Sequence, residues 1–252
     1  VTQVLASGRI SSQSTVELSS EVQGRLLQAD VIFRKGQRFR EGQVLLTVFS
    51  EDVRLALQSR KSSFLTTLAN ILPDLRIDFP QSYETWSSFF QDISINKGLP
   101  EIPAISDPKE KVFLSSRGIL TEYYAIRSEE VRLGKYIIRA PFDGAITEVY
   151  LEPGAVANPG SRLASLIRTN RLEVEVPVDV VDVTHLQQGM QARLWMPGQP
   201  DPTQGSILRI SSFVDPATQS VPVFVSISQG AGSSILQGQY MRVVFPDVVF
   251  PD

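Results

Sequence analysis

The chain of 252 residues contains no cysteine and a single histidine, His185. The absence of cysteine excludes a disulfide framework, a thiolate zinc site, an iron–sulfur cluster and a cysteine nucleophile. One histidine also excludes any site that needs two imidazoles from the same chain. Neither a Gly-x-Ser-x-Gly nor a Gly-x-x-x-x-Gly-Lys sequence is present, so hydrolase and nucleotide-binding functions lack a motif. The sequence therefore predicts a protein that is not an enzyme and that holds no cofactor or metal ion.

Positive charge and long apolar runs are also scarce. Lys and Arg number 24 against 27 Asp and Glu, which gives a net charge of −3, so no basic field would attract nucleic acid. No run approaches the roughly 18–20 apolar residues that span a bilayer. Because the sequence starts at Val1 without a methionine, we expect that a leader or anchor precedes it.

What the sequence does contain is an internal repeat, whose two copies are separated by a long insertion. Two glycines lie six residues apart in each copy, Gly36 and Gly42 in the first, Gly154 and Gly160 in the second. Apolar and polar residues alternate around them, as is typical of half-buried strands. Glycine permits positive φ and close backbone approach, so the copies are predicted to be short strands joined by glycine turns. The predicted turn residues are Gly24, Gly36, Gly42, Pro141, Asp143, Gly144, Gly154 and Gly160.

The two copies resemble the halves of the lipoyl/biotinyl-type barrel-sandwich hybrid found in periplasmic adaptor proteins, also called membrane fusion proteins, of the HlyD-like secretion family. Glu21 to Leu45 and Arg139 to Leu163 carry the resemblance, and Ala140-Pro141-Phe142-Asp143-Gly144 is its most specific fragment. The resemblance implies that residues 16–50 and 136–169 fold against each other as one lipoyl-like domain.

The insertion, residues 51–135, is predicted to be an α-helical hairpin. Leu57, Phe64 and Ile71 recur every seven residues in a segment without Gly or Pro, which indicates an amphipathic helix over residues 52–70. A second long helix is predicted over residues 107–135, with an irregularity at its internal glycine. With about 18 residues in each arm, the hairpin would reach roughly 30 Å.

Residues 73–108 are predicted to form a hairpin tip rich in proline and aromatic residues, including a short helix over residues 82–93. Two interpretations of its aromatic cluster remain open: a small local core, which we favour, or a surface that contacts a partner. The candidate partner-contact residues are Phe79, Tyr83, Trp86, Phe89 and Phe90.

The same insertion point distinguishes an adaptor from a cofactor carrier. In a biotinyl or lipoyl carrier the two halves meet at a tight turn that bears the modified lysine. Here about 85 residues replace that turn and no Met-Lys-Met sequence exists, so lysine carriage is rejected. In the adaptor family, by resemblance, an α-helical hairpin is inserted at this point and reaches toward an outer-membrane channel.

The C-terminal half, residues 170–252, is predicted to be a six-stranded β-barrel domain because short alternating strands are separated by turn residues. Three fragments resemble the adaptor barrel, Gly189 to Leu194, Val214 to Val223 and Leu236 to Val243. The first strand, within residues 1–15, is expected to belong to a truncated membrane-proximal domain.

Together these resemblances imply a non-enzymatic periplasmic adaptor that associates into a ring. It would link an inner-membrane efflux transporter, of the resistance–nodulation–division type, to an outer-membrane channel. It would be anchored to the inner membrane through a segment N-terminal to Val1. Three alternatives remain open: an adaptor of an ABC exporter or type I secretion system, a lipoyl- or biotinyl-like carrier subunit, and a cell-envelope protein whose aromatic tip binds a ligand.

Overall fold

The computed structural model describes residues 2–196, 200–227 and 236–248, and within them the chain forms three units. Two four-stranded sheets form a sandwich, six strands close into a barrel, and a helical insertion interrupts the sandwich. Each unit has its own cluster of buried apolar side chains. The predicted fold class, mostly β with an inserted helical hairpin and a six-stranded barrel, is confirmed.

The elements are numbered in chain order. The strands are β1 (Thr2–Ser12), β2 (Thr15–Ser19), β3 (Gly24–Gln28), β4 (Arg38–Phe39), β5 (Val44–Val48), β6 (Ile137–Arg139), β7 (Gly144–Val149), β8 (Val156–Ala157), β9 (Arg162–Arg168), β10 (Leu172–Asp179), β11 (Gln191–Trp195), β12 (Thr203–Ile210), β13 (Ser220–Ser226) and β14 (Tyr240–Val248). The helices are α1 (Glu51–Asp78), α2 (Pro80–Asp92), α3 (Pro108–Ser116), α4 (Ile119–Gly134) and α5 (Val180–Val183).

The sandwich combines strands from both copies of the repeat in each of its sheets. One sheet has the order β2-β9-β7-β4 and the other the order β6-β5-β3-β8. Strand β2 pairs antiparallel with β9, β3 with β8, β4 with β7 and β5 with β6, so four pairings join the first copy to the second. Leu26, Leu45 and Leu46 of the first copy share one fully buried core with Leu163 and Leu166 of the second. Because neither copy covers its own apolar face, both are needed to bury this core.

The barrel closes in the order β1-β10-β13-β12-β11-β14. The expectation that the first strand belongs to a separate membrane-proximal domain is wrong, because β1 pairs with β10 on one side and β14 on the other and completes the barrel. The physical reason is closure: without β1, those two strands would leave open edges. Residues 249–252, at the end of the predicted barrel range, lie outside the described residues.

The insertion contains four helices, α1 to α4, where the sequence predicted three. Helix α1 continues through Pro73 to Asp78, so the prediction that it ends near residue 70 is wrong. Its 28 residues span about 42 Å instead of the expected 30 Å. Leu68, Ile71 and Leu75 are buried on both sides of the proline, and this packing offsets the cost of about 3 kcal/mol for proline inside a helix.

The return path is also more complex than the sequence indicates. The predicted short helix exists as α2, and the predicted second arm is divided into α3 and α4 at Gly118, whose φ is +72°. Residues 93–107, called here the connecting segment, lead from α2 to α3. The Lys61 ammonium donates to the carbonyl of Lys97 at 2.7 Å, which places the start of this segment beside the first half of α1. Much of the segment predicted to form the tip, residues 73–108, therefore runs back along the hairpin toward its base.

Candidate partner-contact surfaces

The outer end of the insertion is formed where α1 ends, α2 begins and α3 lies against both. The rings of Phe79 and Phe113 are 5.7 Å apart. The Arg117 guanidinium lies over the Phe113 ring at 5.5 Å and donates to Asp74 at 3.1 Å. These contacts join α3 to the end of α1 and close the tip into a packed surface.

Two of the five candidate contact residues cannot reach a partner, so their prediction as contacts is wrong. Trp86 and Phe89 are buried in the helical core. The Trp86 indole N–H donates to the carboxylate of Glu110 at 2.7 Å, and Ser82 donates to the same carboxylate at 2.8 Å. Glu110 is itself 2% exposed. A buried carboxylate is costly unless hydrogen-bonded, so the Trp86 contact serves the interior.

The other three candidates, Phe79, Tyr83 and Phe90, are half-buried and pack against the same core. Tyr83 also lies under the Arg76 guanidinium, which is 5.8 Å from its ring. Their edges contribute to the tip surface, and most of their area stabilises the helices. The local-core interpretation therefore accounts for most of the aromatic cluster.

Sequence reasoning missed the most exposed apolar side chains of the tip. Ile77 is 78% exposed at the end of α1, and Val112 is 69% exposed on α3. Ile77 lies between Arg76 and Asp78, and Val112 follows Lys111. Extending the periodicity of α1 past Pro73 would have predicted that Ile77 is exposed, because Ile77 falls outside the buried stripe.

Gly36 and Gly154, which occupy equivalent positions in the two copies of the repeat, hydrogen-bond each copy to the other. The Gly36 N–H donates to the carbonyl of Ile146 at 2.7 Å, and the Gly154 N–H donates to the carbonyl of Leu26, also at 2.7 Å. Both glycines have positive φ, 84° and 100°, a conformation that side-chain-bearing residues rarely adopt. The matching bonds describe a pseudo-twofold relation between the copies.

Gly42 and Gly160, the equivalent glycines six residues later, repeat this relation. The Gly42 N–H donates to the carbonyl of Ala140 at 2.9 Å, and the Gly160 N–H to the carbonyl of Ser20 at 2.8 Å. Because these bonds join a turn of one copy to the residue that follows a strand of the other, the turns position the two sheets. Their role in the structure is to hold the sandwich together.

The Pro-Phe-Asp-Gly turn also contacts the opposite copy. The Asp143 carboxylate accepts from the backbone N–H of Glu41 at 2.8 Å, whereas Pro141 is exposed. A Cβ on Gly144 would lie 2.2 Å from the Ile167 carbonyl, and one on Gly24 2.6 Å from a Val48 methyl. Gly24 and Gly144 therefore mark close approaches of neighbouring strands.

One outer face of the sandwich carries exposed apolar side chains, together with the exposed Arg25 and Arg139. Leu27, Thr47 and Ile137 lie in register across β3, β5 and β6. Phe49 and Val156 are exposed next to the same strands. We call the surface formed by Leu27, Thr47, Phe49, Ile137 and Val156 the apolar sheet face. Neighbouring exposed apolar residues of this kind are typical of contact surfaces.

The opposite sheet carries a charged outer face. Arg162 donates to the Glu17 carboxylate, with its Nε 2.8 Å from Oε2, and lies over the Tyr150 ring at 5.2 Å. These hydrogen bonds lower the pKa of Glu17. The Tyr150 hydroxyl donates to Glu148 at 3.0 Å. The two faces of the sandwich thus differ in chemistry: one carries exposed apolar side chains beside two arginines, and the other an arginine–carboxylate pair.

The base of the hairpin is held by a buried ion pair. The Lys61 ammonium lies 2.5 Å from Glu130, and their side chains are 4% and 12% exposed. Glu130 also accepts from the Leu99 N–H at 2.8 Å and from Arg127 at 2.9 Å. Burial alone would raise the pKa of Glu130, but the hydrogen bonds from Lys61, Leu99 and Arg127 outweigh it and lower the pKa overall.

A second cluster joins the two long helices closer to solvent. Arg60 on α1 lies 2.6 Å from Glu122 and also pairs with Glu129, both on α4. Hydrogen bonds to the two carboxylates raise the pKa of Arg60. Together with Lys61 and Glu130, these pairs fix the register of α1 against α4.

Within the described ranges, no helix is long and apolar enough to cross a membrane. Across the same residues, no group of three histidine, aspartate or glutamate side chains could hold a metal ion.

No family model matches the chain. The nodulation protein NolF of Rhizobium meliloti is 31% identical over 98 residues, which are 38% of this chain and 26% of NolF. The chain therefore aligns with about a quarter of this relative.

Solved structures match almost the whole chain. A MacA–MexA chimeric protein that contains the Pseudomonas aeruginosa MexA α-hairpin domain matches over 98% of this chain and 83% of its own, with a TM-score of 0.68 and 14% identity. The membrane fusion protein Spr0693 of Streptococcus pneumoniae matches over 96% of this chain and 97% of its own, with a TM-score of 0.63 and 12% identity. The chain has the fold of the membrane fusion proteins. The resemblance drawn from the repeat is thereby confirmed at the level of fold.

Proposed function

We propose that the protein is a non-enzymatic periplasmic adaptor that links an inner-membrane efflux transporter to an outer-membrane channel. The observation that carries the proposal is the position of the helical insertion between the two copies of a lipoyl-like sandwich, beside a closed barrel. The fold shared with a membrane fusion protein supports it. A transporter of the resistance–nodulation–division type is proposed from the sequence resemblance.

The tip of the insertion is proposed as the surface that contacts the channel. Ile77 and Val112 supply exposed apolar area there, and Arg76 and Arg117 supply charge next to it. Apolar anchors surrounded by polar groups are typical of the energetically important part of an interface. This proposal replaces Trp86 and Phe89 with two side chains that solvent reaches.

Site-specific photocrosslinking in the native cell tests the contact with the channel. A photoreactive phenylalanine analogue at Ile77 or Val112 of the full-length protein should form a product in which mass spectrometry identifies an outer-membrane channel. The matched control is Tyr240, which is equally exposed but lies on the barrel. The same channel product at Tyr240, or no outer-membrane protein at either tip position, would contradict the proposal.

The sandwich is proposed to mediate self-association into a ring. Its two outer faces lie on opposite sheets, and a head-to-tail ring uses two different surfaces of each subunit. Leu27→Asp together with Val156→Asp should reduce the mass measured by light scattering at high protein concentration. The control is Tyr124→Asp, an exposed position on α4. An unchanged mass distribution in the double variant would remove the apolar sheet face from the assembly.

A further inference from the structure

A groove of about 490 Å³ lies at the base of the hairpin, away from the tip, and it borders the apolar sheet face at Ile137. Helix α1, residues 95–98 of the connecting segment, the end of α4 and strand β6 form its walls. Ligand sites in proteins typically have volumes of about 300–1,000 Å³, so the groove is large enough for a small molecule.

The groove is positively charged although the chain as a whole has a net charge of −3. Arg54, Lys61, Lys97 and Arg127 line it, against one carboxylate, Glu130. That carboxylate is already occupied by Lys61, Arg127 and a backbone N–H. Arg54 is more than half exposed and lies 3.6 Å from Glu51, a long and weak pairing. The groove therefore has more cationic donors than its own carboxylate can satisfy.

Apart from Gln58 and Asn96, which hydrogen-bond to each other, the other side chains of the lining are apolar. Ile95, Val131 and Ile137 are exposed side chains that converge on the groove from three different elements. Exposed apolar residues of separate elements facing one concavity favour a ligand with an apolar body. Such a body next to the arginine and lysine groups would remove apolar area from water without burying an unpaired charge.

We propose that this groove binds a small amphipathic anion, a carboxylate or sulfonate attached to an apolar chain or ring. The anionic group would lie toward Arg54 and Lys97, and the apolar part against Ile95, Val131 and Ile137. A bound molecule would contact both long helices and β6, and so would stabilise the junction between the hairpin and the sandwich. The inference does not depend on the proposed adaptor function.

Isothermal titration of the full 252-residue chain with decanoate, below its micelle concentration, tests the site. Decanoate should bind with a stoichiometry of one. Decyltrimethylammonium, which has the same chain length and the opposite charge, should show no saturable binding. Equal binding of the two amphiphiles, or no binding of decanoate, would overturn the proposal.

Two pairs of variants locate the binding. Arg54→Gln with Lys97→Gln should weaken decanoate binding roughly tenfold or more, since charged hydrogen bonds are lost. Lys109→Gln with Lys111→Gln removes the same charge from exposed positions on α3 and should change nothing. Val131→Asp should abolish binding, whereas Val112→Asp, on the exposed face of another helix, should not. Wild-type affinity in Arg54→Gln with Lys97→Gln, or in Val131→Asp, would overturn the assignment.

Discussion

At the scale of single residues, glycine and one buried carboxylate have the largest structural consequences. The turn glycines at 36, 42, 154 and 160 each donate a backbone hydrogen bond to the opposite copy of the repeat. Glu110 accepts from Ser82 and Trp86, and so connects α3 to α2 through groups that solvent does not reach. In both cases a single residue joins segments that are distant along the chain.

Two glycines of the second copy should respond differently to alanine. Gly144→Ala places a Cβ 2.2 Å from a backbone carbonyl in the facing strand, whereas the Cβ of Gly154→Ala meets no atom within 4 Å. Gly154→Ala should cost only the strain of positive φ, about 1–2 kcal/mol. Gly144→Ala should cost more, because β7 and β9 must separate. Urea unfolding of both variants measures the difference, and equal losses would contradict the assigned close approach.

At the scale of elements, the helical insertion owes its form to packing that spans several segments. Helix α1 continues through Pro73 because Leu68, Ile71 and Leu75 are buried on either side of it. Few backbone hydrogen bonds lie within the connecting segment, and side-chain hydrogen bonds from the helices hold it instead. The Tyr123 hydroxyl donates to the Pro100 carbonyl at 3.0 Å, and Glu130 accepts from the Leu99 N–H at 2.8 Å.

The Lys61–Glu130 pair should make the stability of the insertion depend on pH. The pKa of Glu130 is lower in the folded protein than in the unfolded chain. Its contribution to the free energy of unfolding is therefore complete above the unfolded pKa, about 4.3. It is lost as the pH falls through the lower, folded pKa. Urea unfolding at several pH values between about 7 and 3 should show this acid loss.

The variant Glu130→Gln separates this pair from other acid effects. It should lower stability near neutral pH by about 3 kcal/mol, because Lys61 remains buried without its carboxylate. It should also reduce the loss of stability in acid. The control is Glu101→Gln, an exposed position in the connecting segment, which should behave as wild type. If Glu130→Gln retains the full acid loss, another carboxylate is responsible for it.

At the scale of the whole molecule, the insertion is attached to a sandwich that is complete without it. The Val48 N–H donates to the Tyr136 carbonyl at 2.7 Å, and Thr47 pairs with Ile137. The chain thus leaves and re-enters the sandwich at adjacent positions of β5 and β6. Most of the insertion packs around its own core, and Val53 and Leu133 are side chains that also pack against the sandwich core.

Replacing residues 50–134 with Asn-Gly should therefore leave a folded protein. Asn-Gly favours the tight turn that joins antiparallel strands, and Phe49 and Lys135 would flank it. The shortened chain should unfold cooperatively and lose most of its helical circular dichroism. Loss of Val53 and Leu133 contacts should lower its stability modestly. A chain without a cooperative transition would show that the insertion is required for the sandwich to fold.

The sequence by itself determined the repeat, the sandwich, the six-stranded barrel and the point of insertion. The repeat, the point of insertion and the barrel rest on glycine spacing and strand alternation, whereas the sandwich was implied by the resemblance to the adaptor family that the Ala140 to Gly144 fragment carries most specifically. The tertiary structure alone decided that β1 closes the barrel, because edge pairing depends on strands more than 160 residues away. It also decided which tip residues are exposed. Trp86 and Ile77 are both apolar in sequence, and only the packing of α2 and α3 onto α1 buries one and leaves the other in water.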